Sequence, residues 1–252
     1  MNSIAVVTSS TGKWAPVEGY SRNSVNRAGV ELRTFWTTPR VTSATVEAFA
    51  AMIAFRETFQ LPLKKTVMGL RSMVCSEVPE LKRVGDRVPV AQRLKRREQI
   101  IKKLARLEDM QLWTMGDIGG CRAVLPNRAQ VDGVLRRIRK NWEVHGRIRD
   151  YRDEAAESGY RAVHVIVIRD GRMIEVQLRD PREHEWALAV ERTGARLGFG
   201  LKEGEGPGDL KEYFQLASMG MYMEAMAQQP DPAFDEAFNA ARARAIPYFR
   251  RS

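Results

Sequence analysis

Residues 163–179, VHVIVIRDGRMIEVQLR, set an Asp-Gly pair between two alternating apolar runs, and that pair constrains the chain more than any other feature. Asp-Gly suits a two-residue hairpin loop because both positions tolerate positive φ, which matches the twist of the flanking strands. With Asp170-Gly171 as the turn, Arg169 faces Arg172, Val167 faces Ile174, Ile166 faces Glu175 and His164 faces Gln177. Strand side chains alternate, so Val163, Val165, Val167, Ile174, Val176 and Leu178 share one dry face. The other face carries Tyr160, His164, Glu175, Gln177 and Arg179 at its open end, with Ile166, Ile168 and Met173 near the turn. A polar strand face is ordinarily a solvated one. Here Glu175 has apolar Ile166 as its partner, a costly arrangement unless the carboxylate binds something.

The rest of the chain surrounds this hairpin with helices. Residues 1–40 are mixed and turn-rich, an arm packing on the remainder. Capping candidates and helical spacing predict helices over 42–59 and 62–76. A charged connection follows around Pro79 to Pro89, then a basic amphipathic helix, RREQIIKKLARLEDM. IGGCRAVL, 118–125, has strand length and is closed by Pro126, and Asn127 caps a helix over 128–142. Residues 151–160 lack an apolar face and read as a loop. Pro181 starts a helix to about Arg196, a glycine-rich linker follows, and another helix begins near Asp209. The order implies an α+β fold, a mixed and mainly antiparallel sheet covered by helices. Three regions result: residues 1–80 as arm and helices, 81–230 as the main domain, and 231–252 as a C-terminal helix or tail.

Charge narrows the partners. There are 41 Lys and Arg against 31 Asp and Glu, a net of +10. Residues 82–106 hold ten basic side chains against two acids, and residues 136–152 hold seven against two. One such run is usually a solvated helix face. Two runs bracketing an apolar strand favour a polyanionic partner. The three histidines, His145, His164 and His184, form no zinc spacing, which argues against a His-rich metal hydrolase. Cys75 and Cys121 lie in apolar segments and read as buried thiols, which suits a reducing cytoplasm. No apolar run has a membrane span's length of about 18 residues, and the start lacks the pattern of a secretory signal.

Asp117 stands immediately before IGGCRAVL. If that strand pairs with the hairpin, Asp117 and Glu175 converge among many Lys and Arg. Two carboxylates among cations are what Mg²⁺ and a polyphosphate need, and one of them can take a proton from an attacking hydroxyl. The residues alone therefore point to Mg²⁺-dependent transfer from a nucleoside polyphosphate.

In order along the chain, RLKRREQIIKKL, DIGGCR, RDYRDEAAESGYRAVH and EVQLRDPREHEWALAVE resemble the motifs of the RelA/SpoT synthetase domain, across about residues 90–210. The resemblance is to the small alarmone synthetases, on a nucleotidyltransferase-like fold. It implies transfer of the β,γ-pyrophosphate of ATP to a ribose 3′-hydroxyl, without a hydrolase domain. By the same resemblance, Arg93, Lys95, Lys103 and Arg122 hold the ATP phosphates, while Asp117 and Glu175 bind Mg²⁺ and catalyse, with Glu175 as the base. Tyr160 stacks on the acceptor base, and His164, Gln177 and Arg179 line the acceptor pocket. Guanosine-using members carry a Pro-Lys where this chain has Ala155 and Ala156. That departure brings the chain closer to the toxic small alarmone synthetases of toxin–antitoxin systems. The acceptor this implies is the 3′ CCA end of tRNA, with an antitoxin protein as a further partner and no membrane. GTP or GDP is the alternative acceptor, and a catalytically silent RNA-binding module is the alternative of another class. Among the remaining features, Met219, Met221, Met223 and Met226 read as packing, and His184 as structural.

Overall fold

The computed structural model describes residues 17–82 and 88–250. The first 16 residues, and most of the expected connection between Pro79 and Pro89, lie outside the described residues. Three helices come first: α1 (Arg22–Thr37), α2 (Ser43–Glu57) and α3 (Gln60–Glu77). Then follow β1 (Val90–Leu94), α4 (Arg97–Arg106), β2 (Gly119–Val124) and α5 (Arg128–Asn141). After β3 (Arg149–Asp150) the hairpin forms β4 (Val163–Arg169) and β5 (Arg172–Arg179). The chain closes with α6 (Pro181–Leu197), α7 (Gly208–Ala225) and α8 (Pro232–Arg250).

The five strands form one sheet in the order β1-β2-β5-β4-β3. Every neighbouring pair is antiparallel except β2 and β5, which run parallel. The hairpin takes the expected register, from Arg169↔Arg172 at the turn to His164↔Gln177, with Ile166 opposite Glu175. Asp170 and Gly171 take φ of 47° and 66°, as an Asp-Gly turn requires. The dry face is dry: Val163, Val165, Ile174, Val176 and Leu178 have no exposure. Helices α3 and α5 pack against the sheet on this side.

Two features depart from the expectation. Arg22–Thr37 lies in the stretch expected to be turn-rich, yet it is a 16-residue helix. Ser21 caps it, and Val25, Ala28, Gly29 and Leu32 are buried at helical spacing. The capping side chain and the short buried stripe decide the outcome over the polar background. The strands β1 and β3 were also not expected. β1 exposes three of its five residues and forms the sheet's edge, so it lacks the apolar signature of a strand.

A second apolar cluster lies beyond the sheet's end. It joins Tyr160 and Ala162 to Trp186, Val190, Leu201, Leu210 and Phe214, and so ties the loop before β4 to α6 and α7. Residues 231–250, left open as helix or tail, are helical in α8, which packs on α7.

Candidate active site

The polar face of the hairpin closes into a ring of hydrogen bonds. Glu175 Oε1 lies 2.8 Å from His164 Nδ1, and His164 Nε2 lies 2.6 Å from the Tyr160 hydroxyl. Arg179 Nη2 donates to that hydroxyl at 2.6 Å and to Gln177 Oε1 at 2.9 Å. Gln177 Nε2 returns to Glu175 Oε2 at 2.8 Å. Four of the five members sit on alternate positions of paired strands, so the register alone brings them together. Gly159, with φ of 85°, brings in the fifth by turning the chain into Tyr160.

Electrostatics make Glu175 a persistent anion. Burial alone would raise its pKa, but His164, Gln177 and Arg149 outweigh burial and hold it down to about 2. The apolar partner Ile166 is therefore offset by polar neighbours on the same face. Burial pushes the Tyr160 hydroxyl the other way, up to about 12.

Asp117 sits in the turn before β2. Its Oδ2 lies 2.9 Å from Lys95 Nζ and its Oδ1 2.9 Å from Lys103 Nζ. Burial opposes its ionisation, and the two ammonium groups overcome that and lower its pKa. β2 and β5 do pair, with Gly120 opposite Glu175, so Asp117 stands three residues ahead of Glu175's strand partner. The two carboxylates nevertheless have separate partners, and no described hydrogen bond joins them.

No group of three or more His, Cys, Asp or Glu converges for a metal among the described residues. The two carboxylates expected to hold a divalent cation are Asp117 and Glu175. The donor chemistry fits Mg²⁺, which takes one or two carboxylates and fills its shell with phosphate and water. Asp117 is buried with each oxygen against one lysine ammonium, and Glu175 is ionised, so both carboxylates keep acceptor capacity.

The residues assigned to ATP phosphates divide into two groups. Lys95 and Lys103 clasp Asp117. Arg122 projects from β2 opposite Gln177, and Arg93 lies on the exposed edge strand β1. Burial and repulsion from Arg179 and Arg93 lower the pKa of Arg122, although Glu191 nearby offsets part of this. Arg179 has no exposure, and its Nε and Nη1 have no partner. Crowded cations with unsatisfied nitrogens form a receptor for an oxyanion.

Two further residues belong here that the sequence did not single out. Lys202 lies 3.3 Å from Glu191 and 4.7 Å from the centre of the Tyr160 ring. The guanidinium of Arg179 lies 4.9 Å from the same centre. Tyr160 is only 5% exposed, with both cations over its ring, so no open face is presented to a stacking base. Glu191 lies one helical turn past Ala187 on the buried side of α6, a spacing that could have flagged it. Lys202 lies in the glycine-rich linker and carried no such signal.

Comparison with known proteins gives this geometry a family context. A family model described as the region found in RelA and SpoT proteins matches residues 92–193. The uncharacterized protein Rv1366 of Mycobacterium tuberculosis is 27% identical over 196 residues, covering 76% of this chain and 65% of that protein. The chain thus spans less than two thirds of that relative's length. Among solved structures, the small alarmone synthetase 1 of Bacillus subtilis bound to its product pppGpp is similar with a TM-score of 0.55 and 24% identity, covering 68% of this chain and 93% of that one. A GTP pyrophosphokinase family protein from Streptococcus pneumoniae gives 0.52 and 22%, covering 73% and 95%. At these identities the structural likeness concerns the fold. Residues 92–193 thus match the region found in RelA and SpoT proteins, on a fold similar to that of the small alarmone synthetases.

Proposed function

We propose that the chain is a Mg²⁺-dependent pyrophosphokinase that transfers the β,γ-pyrophosphate of ATP to a ribose 3′-hydroxyl. The observation that carries this reading is the ring around Glu175. It holds an ionised carboxylate and a buried arginine with unsatisfied nitrogens, while the lysine-clasped Asp117 precedes the neighbouring strand β2. Such transfer depends on positioning and charge neutralisation more than on covalent chemistry by the protein. A bound Mg²⁺ would supply charge neutralisation at the polyphosphate. Arg93 and Arg122 would hold the phosphates, and Lys95 and Lys103 would keep Asp117 ionised and in place. Glu175 would accept the hydroxyl's proton. His164 Nδ1, which donates to the ionised Oε1, would orient the carboxylate for that step rather than take the proton itself. The acceptor's base would take the place of Lys202 over Tyr160.

The acceptor we favour is the 3′ CCA end of tRNA, which would make the chain a translation-inhibiting toxin with an antitoxin partner. Two features support this. The loop before Tyr160 presents Ala155 and half-buried Ala156 where a cation would meet a free nucleotide's phosphates. The net charge of +10 suits a long polyanion. Synthesis of (p)ppGpp from GTP or GDP is the second reading, favoured by the fold shared with the pppGpp-bound Bacillus subtilis synthetase.

Incubation of the purified chain with γ-labelled ATP and either deacylated tRNA or GTP decides between them. Label on tRNA that vanishes with Glu175→Gln supports the toxin reading, and label on guanine nucleotide alone replaces it with the second. No transfer to either overturns the enzyme and leaves a silent binding module.

A further inference from the structure

A cavity of about 260 Å³ opens at the far end of the sheet, between the N-termini of α5 and α6 and the last turns of α7. Trp186 forms part of its wall and Tyr160 does not, and nothing in the pyrophosphate-transfer reading uses it. Four of its wall residues are arginines, Arg128, Arg152, Arg161 and Arg182, against two acids, Asp180 and Glu183.

Two of these arginines are unusual. Arg152 is only 6% exposed; its Nε and Nη2 are held by Asp150 and Asp132, and its Nη1 has no partner at all. Half-buried Arg161 is held by neutral acceptors: the Ser218 hydroxyl at 3.1 Å, the Arg152 carbonyl at 2.7 Å and the Asp153 carbonyl at 3.1 Å. Its guanidinium lies 4.4 Å from the centre of the Tyr222 ring. Among the described residues no carboxylate forms an ion pair with it. Glu183 and Asp153 act on Arg161 only without direct contact, so this partly desolvated cation, beside an orphaned guanidinium nitrogen, has room for an anion.

The acids do not fill that room. Asp180 and Glu183 are occupied as the capping box of α6, each accepting a backbone N–H. Burial and the neighbouring Asp180 push Glu183 up to about 7, so its negative charge is weak at neutral pH. The amino ends of α5 and α6 add positive potential to the same space. Trp186, Val131, Met221 and Met226 give the rest of the wall an apolar part, beside Asn127, Ser218 and Tyr222.

We propose that this cavity binds a phosphate monoester, with its phosphate against Arg152 and Arg161 and a flat apolar body against Trp186. Nucleoside monophosphates belong to that class. The proposal does not depend on the transfer reaction, so the two can fail separately.

Phenyl phosphate is the minimal probe, titrated calorimetrically into the full chain with inorganic phosphate and phenol as separate arms. The expected result is saturable binding of phenyl phosphate, at least tenfold tighter than either fragment. Ala225→Trp, which adds bulk at an exposed rim position without altering charge, and Arg161→Gln each weaken it at least tenfold. Glu175→Gln leaves it unchanged. Arg152 is left intact because its loss would strand Asp150 and Asp132. The proposal is overturned by any of four results: no saturable binding, inorganic phosphate binding as tightly as the ester, equal binding in both cavity variants, or loss of binding in Glu175→Gln, which would place the probe in the hydrogen-bonded ring.

Discussion

Glu175 is a buried acid that the fold keeps charged, and its pKa sets how stability depends on pH. Its folded value is about 2 against an ordinary 4.5. The stability it contributes is therefore fully present above about 4.5 and is lost as pH falls toward 2. Urea unfolding at pH 6 and pH 3 should show a larger acid loss in the wild type than in Glu175→Gln; equal losses would mean that the ring does not hold this charge. Tyr160→Phe tests the ring from the other side. It removes the hydroxyl that accepts from Arg179 and meets His164 Nε2, leaving Arg179 Nη2 with Gln177 Oε1 alone beside two nitrogens already unsatisfied. A cost of about 1–3 kcal/mol is expected in denaturant melts, together with a fall of roughly tenfold or more in turnover as general acid–base positioning is lost. At this scale the sequence was legible where the register spoke, because alternation put His164, Glu175, Gln177 and Arg179 on one face. It was silent on Lys202, whose place over Tyr160 depends on how a glycine-rich linker folds back, and no local periodicity encodes that.

Elements carry the ring into position through a few special residues. Gly159 has a φ of 85°, and an added Cβ would sit 3.0 Å from the Gln215 backbone and 3.2 Å from Trp186. Gly159→Ala should destabilise by about 1–3 kcal/mol and reduce activity by displacing Tyr160, measured as lower turnover in the fraction that still folds. The α6 capping box makes a milder prediction. Asp180→Ala removes the acceptor for the Glu183 N–H and should cost about 1 kcal/mol, a melting-point drop of roughly 2–4 °C for a chain of this size. Helices with clear caps and stripes, such as α2, α5 and α6, were legible from sequence. α1 was not, because its buried stripe is narrow and polar residues surround it. β1 and β3 escaped for a related reason, since edge strands gain their backbone pairing from a neighbour and need little apolar pattern of their own.

Across the whole molecule, charge separates the two acceptor readings. A tRNA acceptor neutralising several phosphates releases counterions, so its binding must weaken steeply with salt. Raising salt from about 50 to 200 mM should increase the KM for tRNA by roughly tenfold or more and change the KM for ATP much less; equal sensitivity would remove the net charge from the argument. The sheet's topology has a separate consequence, in the order of synthesis. β5 is the last strand made, yet it lies in the middle of the sheet and joins β2 to β4. Until β5 has been made, β1 and β2 have no link to β3 and β4, and the ring around Glu175 cannot close. A nascent chain released early would hold a basic surface with no assembled chemistry. The proposed activity would therefore wait on the last residue of β5.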